Sequence, residues 1–373
     1  MGRRFGAAAT RAAAAGAVFA VAVACAQAQV PVPAGGWTVS VQSDRHLDAL
    51  PLRYLGDAAA WEQLSVRPGR QLGYLLDEVR LSRTDAAQFT WTLLARQRAV
   101  AVASEGALDL ARLAASSADP AGDRRWRVDL DYLGFSGIGL EAGRQVDLGH
   151  GWQVDLAVQA LSLQRLTSRS VHGQAAYSAP AQTYSADLSS HEADSRLAFP
   201  FQQPMAGRGL AVLLHGGVRW EADRWQASLR WRDAGQLRWR GLPQQNSALS
   251  TDLQTVDADG FVVYRPLVEG HNRQPLYRRT LAPVTTVDLA WRAPSLGRFH
   301  AGAAWLPGWG ALPVVGWQQP FGGVVVSLDG YLHERRVDIG FAHGAWQWHL
   351  ATDGRAAASR STAFGLTWRS GAN

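Results

Sequence analysis

Residues 225–232 read WQASLRWR and alternate strictly between apolar and polar side chains. The odd-numbered positions are Trp, Ala, Leu and Trp, whereas the even-numbered ones are Gln, Ser, Arg and Arg. Successive side chains of a β-strand point to opposite faces of the sheet. The stretch therefore predicts a strand with one oily face and one face rich in arginine.

The same alternation recurs along most of the chain. It is found in residues 89–95, 126–132, 152–158, 210–220, 287–291, 337–341 and 364–368. Charged residues make up 18% of the chain, below the roughly 25% of soluble domains. After the first 30 residues no apolar run approaches the ~20 residues of a membrane-spanning helix. A transmembrane barrel accounts for both features, because each strand carries its apolar residues at alternate positions.

Turn residues divide these runs unevenly. Short turns are expected at 149–151, 221–223 and 342–344, and long polar loops at 165–195, 241–258 and 267–282. We therefore predict an all-β fold, an antiparallel transmembrane β-barrel of about 14 strands within a range of 12 to 16.

One helix is predicted in addition. Residues 104–115 place Leu110, Leu113 and Ala114 at helical spacing behind the capping residue Ser104. We interpret it as a short periplasmic or lumenal helix.

The N-terminus has the pattern of a cleaved signal peptide, residues 1–28. Arg3, Arg4 and Arg11 precede a short apolar segment, and Ala26-Gln27-Ala28 predicts cleavage before Gln29. Lipid attachment at Cys25, the one cysteine, is the alternative. Residues 29–71 are expected to supply a first strand and a plug segment, and residues 72–373 the barrel.

The chain has 16 tryptophans, and many of them stand at the ends of predicted strands. Amphipathic aromatic rings form girdles where membrane barrels cross the headgroup regions. The alternative is that these rings fill the core of a β-sandwich. The candidates for an interface girdle are Trp91, Trp126, Trp152, Trp225, Trp239, Trp291 and Trp368.

The last predicted strand, Phe364-x-Leu366-x-Trp368, resembles the aromatic-ended strand by which outer-membrane proteins are recognised for assembly, although five further residues follow it. Residues 229–239 resemble a strand–Asp-x-Gly–strand hairpin of such proteins. The chain is thus similar to Gram-negative outer-membrane β-barrels, to porins and more loosely to the fatty-acid-transporter type. The resemblance implies an outer-membrane location, contact with lipid and lipopolysaccharide, and recognition by the assembly machinery through the C-terminal strand. It assigns no subfamily and no functional residue.

A basic cluster is the main candidate site. It comprises His215, Arg219, Arg230, Arg232, Arg238 and Arg240. The arginines are expected to face the lumen, because at the bilayer midplane a lipid-facing arginine costs about 2–4 kcal/mol. They would either attract anions or form ion pairs with Asp129, Asp131, Asp155 and Asp288. We accordingly expect a passive channel or transporter for small solutes, anions among them. The alternative is a structural or secretion-accessory barrel without pore activity.

Other kinds of site have weaker support, and no catalytic residue, cofactor or metal site is predicted. A membrane-embedded lipid hydrolase would use His172 with Ser168 or Ser170, or His191 with Ser189 or Ser190, but Gly-x-Ser-x-Gly is absent. His333-Glu334 lacks the second histidine of a zinc motif. Acidic residues interleave with the arginines, which disfavours nucleic acid as a partner. The oligomeric state is left open.

Overall fold

The computed structural model describes residues 36–251, 254–256, 262–264, 267–354 and 356–370. The predicted signal peptide, with Cys25, lies outside the described residues. The strands are β1 Trp37–Leu47, β2 Arg70–Thr84, β3 Phe89–Ser104, β4 Arg124–Gly149, β5 Trp152–Ser178, β6 Thr183–Asp194, β7 Gly209–Ala222, β8 Trp225–Trp239, β9 Gln244–Ser250, β10 Gln254–Val256, β11 Val262–Tyr264, β12 Val268–Arg273, β13 Tyr277–Leu281, β14 Val284–Ala293, β15 Gly297–Leu306, β16 Gly310–Phe321, β17 Val324–Tyr331, β18 Arg336–His343, β19 Trp346–Thr352 and β20 Ser361–Arg369. The helix α1 is Glu105–Ser116, and 3₁₀ turns cover Leu52–Tyr54, Ala58–Gln63 and Ala356–Ala358.

The described strands form a closed antiparallel barrel with 14 wall strands, as predicted. β13 and β14 count as one wall strand, because both pair with β8. β5 pairs with β7 along its first part, so β6 lies outside the wall. The barrel closes where β1 pairs with β20, with Val41 opposite Leu366. Residues 37–47 therefore form a strand of the barrel wall, and this is the first strand that was expected within residues 29–71.

The two ends of the barrel differ in their connections. At the short-turn end, two to four residues join neighbouring strands, as in the Gly322-Gly323 turn between β16 and β17. Both glycines have positive φ, +53° and +89°, which a two-residue hairpin requires. The opposite, long-connection end carries residues 48–69 and 105–123, including α1. This asymmetry matches the sequence prediction.

The three long polar segments predicted as loops are largely strands. The second part of β5 continues beyond the wall and pairs with β6, and β6 with β9 and β9 with β12. The result is an extension of the sheet at the long-connection end. Most of its residues are polar, and a patch of its apolar residues, Val171, Ala175, Tyr177 and Leu188, packs against Trp126, so hydrogen-bonded pairing persists there without a regular alternation.

Two β-bulges reverse the alternation of side chains within single strands. The pairing of β4 with β5 shifts between Ser136 and Gly137, and the pairing of β7 with β8 shifts between Leu214 and Gly216. On β8 the extra residue lies beside Asp233, which has a φ of +67°. Residues 229–239 are thus one continuous bulged strand and not a hairpin. One extra residue exchanges the two faces of a strand beyond the bulge.

Two apolar clusters pack inside the barrel, in the half nearer the long-connection end. One cluster joins Leu161, Leu163, Leu213, Leu237 and Trp239 on neighbouring wall strands, all at most 1% exposed. The second crosses the lumen, since Leu72 of β2 packs with Val284, Leu306 and Leu312 of β14–β16. We call this second set, Leu72, Val284, Leu306 and Leu312, the apolar constriction.

The helix α1 matches the predicted helix to within one residue at each end. Ser104 Oγ accepts a hydrogen bond from Ala107 N–H, as a helix N-cap does. Leu110 and Leu113 pack against Trp126 and Val128 of β4 at the long-connection end. No helix in the described ranges is long and apolar enough to cross a membrane.

Candidate functional site

The lumen holds a cavity of about 560 Å³ lined by residues from most of the wall. Its lining runs from Thr84 and Gln88 at the short-turn end to Tyr74, Leu306 and Leu312 beside the apolar constriction. A volume of this size suits a small molecule.

A second cavity of about 320 Å³ continues toward the long-connection end, where Arg70 and Gly308 line it. Two residues of β3, Arg98 and Val100, line both cavities. Arg98 is bound to Asp233 of β8 on the far side of β4, β5 and β7. The Arg98–Asp233 pair and Val100 therefore stand between the two cavities.

Asp233 is the centre of a buried ion-pair network. Its carboxylate accepts two hydrogen bonds from Arg96, at 2.6 and 2.7 Å, in addition to the bond from Arg98. Arg96 Nε lies 3.4 Å from Glu78, and Arg80 binds both Glu78 and Glu141. Bidentate arginine–carboxylate pairs of this kind are strong and geometrically specific. The network ties β3 to β8 across the lumen.

A histidine clamp lies on the opposite side of the cavity. His300 Nδ1 is 2.9 Å from Asp288, and Nε2 is 2.7 Å from Asp329. An ionised carboxylate only accepts hydrogen bonds, so the two aspartates together favour a ring that donates from both nitrogens. A Cβ at the neighbouring Gly316 would lie 2.1 Å from His300 Nε2, so glycine is needed there.

A second histidine repeats this arrangement four strands further on. His349 Nδ1 is 2.8 Å from Asp338, and a Cβ at Gly365 on the adjacent strand would lie 2.2 Å from His349 Nε2. Each unit places an Asp, a His and a Gly on three consecutive strands. Sequence reasoning missed both units, although glycines opposite histidines in consecutive strands were a usable signal.

The structure divides the predicted basic cluster at the β8 bulge. Arg230, Arg232 and His215 line the large cavity. Arg238 and Arg240 lie beyond the bulge, are exposed, and do not line it. Arg238 and Arg240 were expected to face the lumen, but they lie on the opposite face because the extra residue exchanges the two faces of β8 beyond the bulge. Arg219 lies on β7 and pairs with Glu221 at 2.8 Å.

Two arginines face the cavity without a direct ion pair, although acidic side chains lie near both: Asp155 and Asp288 interact electrostatically with Arg230, and Asp233 with Arg232. Among the described residues, neither Arg230 nor Arg232 has a hydrogen bond or an ion pair within 4.0 Å. The acidic residues predicted to neutralise the arginines are used elsewhere: Asp288 binds His300, and Asp131 binds Arg279. The cavity therefore presents guanidinium groups that make no direct contact with a carboxylate within 4.0 Å among the described residues.

The predicted girdle residues fall into two groups. Trp91, Trp152, Trp225 and Trp291 are exposed within three residues of the short-turn end, and Trp368 lies 6.4 Å from Trp346 there, between ring centroids. Trp126 and Trp239 are only 4% and 1% exposed and pack in apolar clusters nearer the other end. Trp126 packs against Leu110 and Leu113 of α1, and Trp239 lies on β8 beyond the bulge at Asp233.

The serine and histidine candidates for hydrolysis lie in the sheet extension. Ser168 Oγ accepts a hydrogen bond from Arg279. His172 Nδ1 lies 3.1 Å from Asp129, and His191 Nδ1 lies 2.6 Å from Asn246. In the described ranges, neither histidine ring is hydrogen-bonded to a serine hydroxyl.

No family model and no curated protein matches the chain. Among solved structures, it is similar to the crystal structure of the Pseudomonas putida toluene transporter TodX. The sequence identity is 10% and the TM-score 0.30, and the alignment covers 90% of this chain and 88% of that chain.

Proposed function

We propose that this protein spans the outer membrane of a Gram-negative bacterium and is a gated transporter for small anionic solutes. The observation that carries the proposal is the pair of lumenal cavities separated by Arg98 and Val100. The two cavities follow one another along the lumen, and Arg98, Val100 and the apolar constriction lie where they meet, as expected of a gate. Arg230 and Arg232, which line the larger of the two cavities without a direct ion pair, supply the preference for anions.

The outer surface supports a membrane location. Exposed apolar side chains surround the barrel, among them Leu81, Leu93, Leu140, Leu156, Leu229, Val287, Leu289, Val315, Leu328, Ile339 and Leu350. Soluble proteins rarely expose a contiguous apolar surface of this extent. Together with the tryptophans at the short-turn end, it forms the lipid-facing band of a membrane barrel.

The gate is tested by recording conductance in planar bilayers. We expect the wild-type barrel to be mostly closed and Arg98→Ala to raise its open conductance several-fold. Asp233 keeps its two hydrogen bonds from Arg96 in this variant, so the barrel retains its bracing. Arg169→Ala, in the sheet extension and half exposed, is the control and should stay closed.

Anion preference is tested with the same recordings under a salt gradient. Replacing Arg230 and Arg232 together by Gln in the Arg98→Ala background should move the reversal potential away from the chloride equilibrium. Cation selectivity of Arg98→Ala itself would contradict the proposal.

A structural barrel without pore activity is the second candidate. The network around Asp233 favours it, because it braces the lumen from β3 to β8 with its charges balanced. An Arg98→Ala barrel that folds but remains as closed as the wild type would support this alternative.

A further inference from the structure

Three potential metal ligands meet at the long-connection end, away from the lumenal cavities. His46 lies at the end of β1, Asp48 directly follows that strand, and His333 lies in the connection between β17 and β18. One ligand atom from each lies within 4.8 Å of the other two. The Asp48 carboxylate stands between the rings, 3.1 Å from His46 Nε2 and 3.4 Å from His333 Nε2.

The site holds polar atoms that lack hydrogen-bond partners. His46 Nδ1 and Glu334 Oε2 are buried and have no hydrogen-bond partner in the described chain, and His333 Nε2 has no polar contact closer than the 3.4 Å to Asp48. His46 is 3% exposed and Glu334 5% exposed. Buried polar groups are otherwise nearly always hydrogen-bonded. His46 Nε2 contacts Asp48 while its Nδ1 stays unpartnered, and together with Glu334 Oε2 this leaves buried lone pairs or donors that a bound ion and its waters would satisfy.

The donor set selects the kind of ion. Two imidazoles and a carboxylate are typical of zinc and other divalent transition metals, whereas calcium and magnesium prefer oxygen alone. Ligand atoms around a tetrahedral Zn²⁺ lie about 3.4 Å apart, given bonds of about 2.1 Å. Ligand atoms that now lie up to 4.8 Å apart need to approach by at most about 1.4 Å. His333 can move by this distance because it lies in the four-residue connection between β17 and β18.

A positively charged side chain close to the Asp48 carboxylate, that of Arg67, does not prevent a cation from binding. Arg67 approaches Asp48 only to 4.0 Å, and its side chain is 44% exposed. The guanidinium can therefore move into solvent when a cation binds. Arg360 donates to the backbone carbonyl of Asp48, and the backbone N–H of Leu72 donates to Asp48 Oδ2 at 2.8 Å, which holds the carboxylate toward the histidines.

We propose that His46, Asp48 and His333 form a binding site for a divalent transition-metal ion, which fastens β1 to the β17–β18 connection. The inference is independent of solute transport. The chain separation of His46 and His333 explains why no metal motif is visible in the sequence.

The experiment measures binding of Zn²⁺ to the untagged mature protein in detergent after treatment with EDTA. We expect one equivalent of Zn²⁺ for the wild type and a loss of affinity of tenfold or more for His333→Ala. His271→Ala is the matched control, because His271 is exposed beside Glu269 in the sheet extension, and it should bind like the wild type.

Electron paramagnetic resonance with Cu²⁺ identifies the ligands directly. The wild type should show coupling to two imidazole nitrogens, and His46→Gln and His333→Ala should each show one fewer. Wild-type protein that binds no stoichiometric Zn²⁺, or a folded His333→Ala variant that binds like the wild type, would overturn the proposal.

Discussion

At the scale of single residues, the glycines opposite lumenal histidines decide how the interior packs. A Cβ at Gly316 would lie 1.9 Å from Asp329 Oδ1 as well as 2.1 Å from His300. Gly330, one strand further on, has no neighbour closer than 3.7 Å to such a Cβ. The two positions therefore form a matched pair for substitution.

We expect Gly316→Ala to lower the free energy of unfolding by about 1–3 kcal/mol, the usual cost of overpacking. Gly330→Ala should change it by less than about 0.5 kcal/mol. Urea unfolding of the refolded barrel in detergent measures both. Equal stabilities of the two variants would show that His300 is not held against Gly316.

Asp233 is the residue on which the ion-pair network depends. Asp233→Asn leaves Arg96 and Arg98 buried without their carboxylate, and removal of one partner from a buried pair costs about 3–5 kcal/mol. Asp131→Asn, which also breaks a pair with an arginine but is exposed, should cost about 1 kcal/mol or less. The same unfolding measurement compares them. A small effect of Asp233→Asn would mean that the network does not brace the barrel.

At the scale of elements, the bulge in β8 reverses which side chains face the lumen. Leu237 is fully buried beyond the bulge, whereas its neighbour Arg238 is exposed. We expect Arg238→Cys to react with a membrane-impermeant maleimide on whole cells and Leu237→Cys to remain unlabelled. The mature chain has no cysteine of its own if cleavage occurs before Gln29. The opposite labelling would mean that the alternation continues through Asp233.

The docking of α1 depends on a buried carboxylate outside the barrel wall. Burial opposes ionisation of Asp109, but hydrogen bonds from Trp126 and Arg112 and the charge of Arg124 lower the pKa of its carboxyl below 3.8 overall. A lowered pKa in the folded state stabilises the protein above the unfolded value of about 3.9.

We therefore expect the docking of α1 to weaken as the pH falls below about 4, toward the lowered pKa of Asp109. Asp109→Asn should weaken docking at neutral pH and abolish that part of the pH dependence. Hydrogen exchange of the α1 amides follows the change. An α1 whose protection is equal in both proteins at all pH values would contradict the assignment.

The elements also show what the sequence could predict and what it could not. Alternation identified the wall strands and the capping residue identified α1, because both signals are local. A single extra residue beside Asp233 leaves no local signal, yet it moved Arg238, Arg240 and Trp239 to the opposite face. The sheet extension was missed because its few buried apolar residues, such as Ala175 and Tyr177, do not recur in a regular alternation.

The candidate site was less predictable than the fold, because its contacts are distant in sequence. Arg230, Arg232 and His215 were found from alternation alone. Arg96 and Asp233 stand 137 positions apart and His46 and His333 still further, so neither pairing leaves a spacing to recognise. The free energy of such contacts comes from the closed barrel and is absent from any single strand.

At the scale of the whole molecule, closure of the barrel should make it resistant to detergent. A closed sheet has no free edge, so every wall strand is hydrogen-bonded on both sides. We expect the refolded protein to run as a compact species in unheated SDS gels and to shift on boiling. A chain truncated before Ser361 lacks β20 and should migrate as unfolded with or without heating. A wild-type protein whose migration is insensitive to boiling would argue against a membrane barrel.

The pairing of β1 with β20 also sets an order of events. Val41 and Leu366 are separated by almost the entire chain, so the seam between them forms only after the last strand has been synthesised. Until then the first strand presents an open edge that can pair with other chains. The chain therefore avoids pairing with other chains only while it stays unfolded, and the final strand commits it to a single closed molecule.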